Sequence, residues 1–170
     1  MTGNEVFPDT IRQATPADRS QLIAAIIELQ EHERRLHDSL RPGVEIAAPP
    51  YLASIEARAA RQGAILVAET DEGFVGFVAG WIELDDESIC ETPEFNRFGY
   101  VSDICVLNAY RRRGIASRLL SAIEARLAEY GVTWVRINVL AANVSARASY
   151  ERAGFSPYEV QYEKRLRPAD

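Results

Sequence analysis

The segment from Val106 to Ala116 constrains this chain more than any other part of its sequence. An apolar strand ends at Val106, a short turn follows, and an amphipathic helix begins at or just after Arg113. The junction reads Arg-x-x-Gly-x-Ala, from Arg111 to Ala116. Glycine and alanine leave the backbone open to close approach, and the first N–H groups of a helix have no intrahelical partner. A helix start of this kind is a site for diphosphate.

The arginine run at 111–113 has other readings. Three consecutive arginines also fit a solvated basic run or a phosphate contact with nucleic acid, but the net charge of −6 disfavours a general nucleic-acid binder. A dinucleotide-binding fingerprint would require more glycines, and a P-loop would require Gly-Lys-Ser or Gly-Lys-Thr; the sequence has neither. The junction therefore favours the diphosphate of a small molecule.

The hydrophobic pattern predicts alternating helices and strands. Predicted strands cover Thr10–Ala14, Ala64–Glu69, Phe74–Leu84, Tyr100–Val106 and Thr133–Leu140, with one or two closing strands in Phe155–Leu166. Predicted helices cover Ala17–Leu36, Tyr51–Arg61, Gly114–Tyr130 and Val144–Ala153. This order indicates one α/β domain over residues 1–170, with a mixed central β-sheet flanked by helices and a loose tail at 167–170.

Composition excludes several classes of protein. The longest apolar runs are far shorter than a membrane span, and the N-terminus lacks the pattern of a secretory signal. Two cysteines, Cys90 and Cys105, do not make a disulfide framework, so a reducing cytoplasm is expected. Cysteines and histidines do not cluster at metal-ligand spacing, and we expect no metal.

An acidic segment lies between Ile82 and Asp103. Its seven acidic residues and one basic residue, Arg97, give the segment a net charge of −6, which equals the net charge of the whole chain. The acidic residues are Glu83, Asp85, Asp86, Glu87, Glu91, Glu94 and Asp103. The segment is interpreted either as a solvated acidic loop or as a field that attracts a cationic substrate to a nearby site.

A second motif follows the arginine junction by about thirty residues and contains Asn143 and Tyr150 before Gly154 and Phe155. In order along the chain, the matching segments are Asp103–Val106, Arg111–Ala116, and Asn143, Ala146, Tyr150, Gly154 and Phe155. With these segments in strand–helix context, the chain resembles the GNAT superfamily of acyl-CoA-dependent N-acetyltransferases. The resemblance spans nearly the whole chain.

The resemblance implies acetyl-CoA as co-substrate. Helix-start N–H groups near Arg112 to Ser117 would hold the diphosphate, and an open strand edge would pair with the amides of the pantetheine arm. Asn143 would bind pantetheine or shape the pocket, and it is also a good helix N-cap. The expected cofactor-binding residues are Ile104, Cys105, Val106, Arg111, Arg112, Arg113, Gly114, Ile115, Ala116, Ser117 and Asn143.

The expected catalytic residues are Tyr150 and Asp103. By family resemblance, Tyr150 is the general acid for the departing thiolate; otherwise it is a core aromatic residue. An alkyl ammonium with a pKa of about 10.4 must lose a proton before it attacks, and Asp103 could accept it or anchor the amine. Asp103 could equally be a strand-end charge or a cap. Tyr100 is a weaker candidate for the acceptor pocket.

These residues predict an N-acetyltransferase that moves an acetyl group to a primary amine by direct attack in a ternary complex. The acidic segment favours a cationic acceptor, either a small molecule or a peptide amine, without choosing among them. Nucleic acid and membrane partners are not expected, and a homodimer is compatible with the sequence. The alternative is a sensor or regulatory module that binds acyl-CoA without turnover.

Overall fold

The computed structural model describes residues 10–46, 49–85 and 91–166, and within them the chain forms one five-stranded sheet. The strands are β1 (Thr10–Gln13), β2 (Gly63–Thr70), β3 (Gly73–Leu84), β4 (Arg97–Val106) and β5 (Val135–Ile137). They lie side by side in chain order. The first four are antiparallel to their neighbours, and β5 runs parallel to β4. The predicted mixed sheet is confirmed.

Helices connect and cover the strands. They are α1 (Arg19–Arg34), α2 (Gly43–Ile46), α3 (Pro49–Gln62), α4 (Pro93–Asn96), α5 (Ile115–Ala128) and α6 (Val144–Arg152). The predicted start of the first helix is a 3-10 turn at Pro16–Asp18, where the Asp18 carboxylate accepts the Thr15 N–H at 2.7 Å. The four longer helices were predicted to within two residues at each end. The two four-residue helices were not predicted, since one turn carries no readable periodicity.

Two apolar clusters hold the helices against opposite faces of the sheet. On one face, α1 contributes Leu22 and Ile26, both almost fully buried, and α3 contributes Leu52 and Ile55. On the other face, α5 buries one stripe of apolar side chains, as its period near 3.6 predicts. That stripe consists of Ile115, Leu119, Leu120, Ile123 and Leu127. The prediction of helices flanking a central sheet is confirmed.

The C-terminal part of the chain departs from prediction. The predicted strand Thr133–Leu140 is reduced to the three residues of β5. Phe155–Leu166 forms no strand, so the prediction of closing strands there was wrong. Alternating tyrosine and valine favour strands, but a strand needs a ladder partner. This segment has none among the described residues, and Tyr158, Val160 and Tyr162 are largely exposed. The tail at 167–170 lies outside the described residues.

Candidate active site

A cavity of about 140 Å³ opens where β4 and β5 separate. The two strands pair from Gly99 and Val135 to Val101 and Ile137. Beyond that point, the rest of β4 has no strand partner on this side within the described ranges. Side chains of α1, α3 and α6 complete the wall, and its polar lining includes both predicted catalytic residues.

A bulge in β4 decides which face of the sheet the side chains beyond it take. Two adjacent residues of β3 pair with Val101 and Asp103, so Ser102 between them is an extra residue. An extra residue reverses the alternation of side chains along a strand. Accordingly, Tyr100 and Cys105 pack into the same core cluster under α1 and α3, although they are an odd number of residues apart. The bulge places Asp103 on the cavity face.

Asp103 lies deep in the cavity, with 6% of its surface exposed. One carboxylate oxygen accepts a hydrogen bond from the Tyr51 hydroxyl at 2.8 Å, and the other accepts one from the Ser102 hydroxyl. Burial raises the pKa of Asp103, because desolvation disfavours the charged form, while the two hydrogen bonds oppose this rise. The structure therefore holds Asp103 by both oxygens.

Glu33 is the second carboxylate of the cavity. It was not among the predicted site residues: the family resemblance places its helix beside the acceptor site, but the charges of that helix were expected to be mostly solvent-facing. It lies near the end of α1, and its pKa is raised first by burial and then by the charge of Asp103. The sequence contained a signal that places Glu33 at the cavity. Ile26 and Glu33 are seven residues apart and share one helix face, so the buried Ile26 points to the cavity face. Tyr51 was also missed, since no local pattern links it to Asp103, 52 residues away.

Tyr150 projects from α6 into the same cavity. Its ring lies 6.1 Å from the ring of Phe155, the aromatic residue of the second motif. Burial, followed by the charges of Glu33 and Asp103, raises the pKa of Tyr150 to about 12. The hydroxyl therefore keeps its proton at neutral pH, as a proton donor must.

Asn143 and Ile104 also line the cavity. The Asn143 side chain accepts the N–H of Ala146 at 3.1 Å and so caps α6. It is only 8% exposed. Asn143 therefore combines the two roles that sequence analysis left open, a helix cap and a wall of the pocket. Ile104 lies on the part of β4 that has separated from β5.

The arginine junction lies outside this cavity, at the start of α5. Arg112 has φ 62° and Gly114 has φ 77°, both in the left-handed region. Gly114 is the N-cap of α5 and is exposed, and a Cβ there would meet no atom within 4 Å. The space in front of the first helical N–H groups is therefore open, as required for close approach of a diphosphate.

The arginine side chains of this junction differ in their contacts. Arg111 turns back: its Nε donates to the Val106 carbonyl at 3.0 Å, and its guanidinium pairs with Glu28 of α1 at 3.1 Å. Arg113 donates to the Ala109 carbonyl at 3.0 Å. Arg111 thus braces the turn against α1. Arg112 is exposed and its side chain has no partner among the described residues, so the junction presents this guanidinium as well as backbone N–H groups for an anion.

Three predicted cofactor-binding residues have side chains that serve other purposes. Cys105 is 3% exposed in the core, and burial raises its pKa to about 12, so its thiol is not a nucleophile. Ile115 is 1% exposed within the apolar stripe of α5. The partly buried side chain of Val106 packs against the apolar cluster of α5. We therefore expect any contact of these residues with a cofactor to be by backbone, as for Ala116 and Ser117 in the first turn of α5.

The acidic segment is partly neutralised within the described residues. Glu83 pairs with Arg58 at 2.8 Å, and Glu91 pairs with Arg136 at 3.2 Å. Positions 86–90 lie outside the described residues. Attraction of a cationic acceptor by this segment remains a prediction.

The described part of the chain offers neither a membrane-spanning helix nor a metal site. None of its helices is long and apolar enough to cross a bilayer. None of its groups of histidine, cysteine, aspartate and glutamate could hold a metal ion.

Curated relatives are N-acetyltransferases. An N-alpha-acetyltransferase of Saccharolobus solfataricus is 35% identical over 98 residues, which are 57% of this chain and 59% of that protein. An N-alpha-acetyltransferase of Sulfurisphaera tokodaii is 32% identical over 112 residues, or 65% of this chain and 67% of that protein. The chain thus spans about three fifths to two thirds of the length of these relatives.

Solved structures share the whole fold. A variant of the BH1408 protein from Bacillus halodurans superposes with a TM-score of 0.81 at 19% identity, over 92% of this chain and 99% of that one. The aminoglycoside N-acetyltransferase AAC(6')-Iy, solved in complex with CoA, gives a TM-score of 0.67 at 21% identity, over 93% and 94%.

A family model described as Acetyltransferase (GNAT) family matches residues 24–155. That region runs from α1 through the cavity, the arginine junction and α6 to Phe155. With the fold and the named relatives, this match confirms the resemblance drawn from the motifs: the chain belongs to the GNAT family of acetyltransferases.

Proposed function

We propose that this protein is an acetyl-CoA-dependent N-acetyltransferase that acts on a cationic primary amine. The observation that carries the proposal is the cavity, where Tyr150 and the carboxylates of Glu33 and Asp103 meet beside the open edge of β4. This arrangement combines a proton donor, proton acceptors and a backbone edge for an extended ligand.

The residues present fit acetyl-CoA. Two left-handed residues, Arg112 and Gly114, leave the backbone N–H groups at the start of α5 facing open space, where the diphosphate would bind. The unpaired edge of β4 at Ile104–Val106 would bind the amides of the pantetheine arm, with Asn143 closing the wall. The acetyl thioester would then enter the cavity beside Tyr150.

The chemistry balances as a direct transfer. The ammonium loses a proton to a carboxylate of the cavity, and the free amine attacks the thioester carbon. The C–N bond forms, the C–S bond breaks, and the thiolate takes the proton of Tyr150. The nitrogen loses its second proton, Tyr150 is reprotonated, and one proton in all passes to solvent. The raised pKa of Tyr150 keeps its hydroxyl protonated for this role.

The charge of the cavity supports a cationic acceptor. Two carboxylates line it, and the lining within the described residues includes no arginine or lysine. A bound ammonium would offset the charge of both carboxylates, which burial leaves poorly solvated. The names of the relatives, N-alpha-acetyltransferase and aminoglycoside N-acetyltransferase, both describe transfer of an acetyl group to nitrogen.

A panel of amines tests the proposal. Polyamines, aminoglycosides, peptide N-termini and lysine peptides are incubated with acetyl-CoA, and free thiol is measured. We expect turnover with at least one primary amine and none with the matched N-methylated quaternary amine. Tight acetyl-CoA binding without turnover on any amine would instead support the sensor module.

The acidic segment gives a separate prediction. Exposed charges act on encounter and are screened beyond about 8 Å at physiological salt. We therefore expect KM for the amine to rise with ionic strength, while acetyl-CoA affinity follows a different curve. Neutralising Asp85, Asp86 and Glu87 together should raise KM severalfold at low salt and flatten its salt dependence.

A matched triple variant provides the control. Asp71→Asn, Glu124→Gln and Glu129→Gln remove the same charge from residues that do not line the cavity. If both triple variants shift KM equally, net charge rather than the acidic segment is responsible. If neither does, the segment is solvated surface.

A further inference from the structure

The two carboxylates of the cavity are held differently. Both oxygens of Asp103 accept hydrogen bonds from protein hydroxyls, Tyr51 on α3 and Ser102 in the bulge. The Glu33 carboxylate accepts no hydrogen bond from any residue within the described ranges. One carboxylate is therefore fixed in place, and the other is free to turn.

The groups that face this pair are neutral. Tyr51, Tyr100, Tyr150 and Cys105 all experience the charge of Asp103, and the pKa of each is raised, first of all by burial. Glu33 adds a second negative charge to the same cavity. Of these groups, Tyr51 alone donates a hydrogen bond to Asp103 from another element of the fold. It is thus placed to decide the charge state of Asp103.

Given the proposed function, we infer that Tyr51 is a positioning residue whose hydroxyl fixes Asp103 as the anionic anchor of the acceptor ammonium, leaving Glu33 to take the proton. A carboxylate that accepts two hydrogen bonds is stabilised in its charged form. An anchor needs that charge throughout the reaction. A base must accept a proton and release it, and a carboxylate without internal partners can turn to do both.

The proton movement is explicit. The ammonium nitrogen gives one proton to an oxygen of Glu33, and the neutral amine remains beside Asp103. Glu33 passes that proton to solvent and, as carboxylate again, takes the second proton from nitrogen once the C–N bond has formed. That second proton restores the hydroxyl of Tyr150, which has given its own proton to the thiolate, so both groups return to their starting states. Asp103 changes neither its charge nor its partners.

The substitution Tyr51→Phe tests the anchoring role of Asp103 separately from the proton transfer to Glu33. Without the hydroxyl, the pKa of Asp103 rises further, so Asp103 is neutralised at a higher pH than in the parent. We expect KM for the amine to rise about tenfold, more steeply as pH falls, with kcat changed less than threefold. Ser102→Ala removes the other donor and should shift KM in the same direction. Glu33→Gln should instead lower kcat at least tenfold and abolish the acid limb of the kcat profile.

Tyr158→Phe is the matched control, since it removes an exposed tyrosine–carboxylate hydrogen bond, to Glu91, outside the cavity. It should leave KM and its pH dependence unchanged. Melting curves establish that each variant is folded. If Tyr51→Phe is folded and active with the parent pH profile, or lowers kcat without raising KM, the inference is overturned. If the parent shows no turnover with any amine, the proposed function fails instead.

Discussion

Tyr150→Phe should lower kcat about a hundredfold and leave acetyl-CoA affinity nearly unchanged. The hydroxyl acts on the transition state, where it protonates the departing thiolate, and general acid catalysis contributes about a hundredfold or more. A hundredfold loss is about 2.7 kcal/mol in the activation barrier. Some activity should remain, because a thiolate leaves tolerably without a proton.

Steady-state kinetics with the cognate amine, together with calorimetry of acetyl-CoA binding, tests this expectation. Phenylalanine keeps the ring beside Phe155, 6.1 Å away, so a packing role would survive the substitution. The pH profile adds a check. Since the pKa of Tyr150 is raised to about 12, kcat of the parent should not fall between pH 8 and about pH 10. Parental turnover in Tyr150→Phe would reduce Tyr150 to a core aromatic residue.

Gly114→Val should lower acetyl-CoA affinity at least about a hundredfold. The valine Cβ would project into the open space in front of the helix start and block hydrogen bonds between the diphosphate and the N–H groups. Charge-assisted hydrogen bonds are each worth about 1.5–3 kcal/mol, so loss of two accounts for the effect. Gly114 also has φ 77°, where valine adds strain.

The control Gly131→Val distinguishes the effect of backbone strain from the effect of blocking the diphosphate site. Gly131 has the same φ of 77° and the same open surroundings, but it lies just beyond the other end of α5. Both variants should melt at a lower temperature than the parent, by a similar amount. Calorimetry should show a loss of acetyl-CoA affinity in Gly114→Val alone. Equal affinities in the two folded variants would remove the diphosphate site from this junction.

Local sequence patterns correctly predicted the features that depend only on neighbouring residues. The helix after Gly114 was predicted because an apolar period near 3.6 runs from Ile115 to Leu127, and the structure buries each of those side chains. The left-handed N-cap follows from glycine at that position. Asn143 was predicted as a cap because its short side chain can accept a backbone N–H three residues on, and it does so.

Tertiary structure decided what depends on partners distant in sequence. Phe155–Leu166 has the composition of a strand but no ladder partner among the described residues, and pairing rather than propensity makes a strand. The bulge at Ser102 has no local signature, because it is defined only by the register of β4 against β3. Without it, Asp103 would lie on the face of the sheet covered by α5 instead of the face covered by α1 and α3, where it meets Tyr51.

The candidate site also combines features fixed by local sequence with features fixed by tertiary packing. The motifs placed Tyr150, Asn143 and the helix start in order along the chain, since each is fixed by its own strand–helix context. The meeting of Glu33, Tyr51 and Asp103 depends on how α1 and α3 pack against the sheet, and only the folded chain brings them together. Sequence alone thus determined the family and located the motif predicted to bind the cofactor, whereas packing determined which carboxylates line the cavity, because burial and charge at that point come from three separate elements.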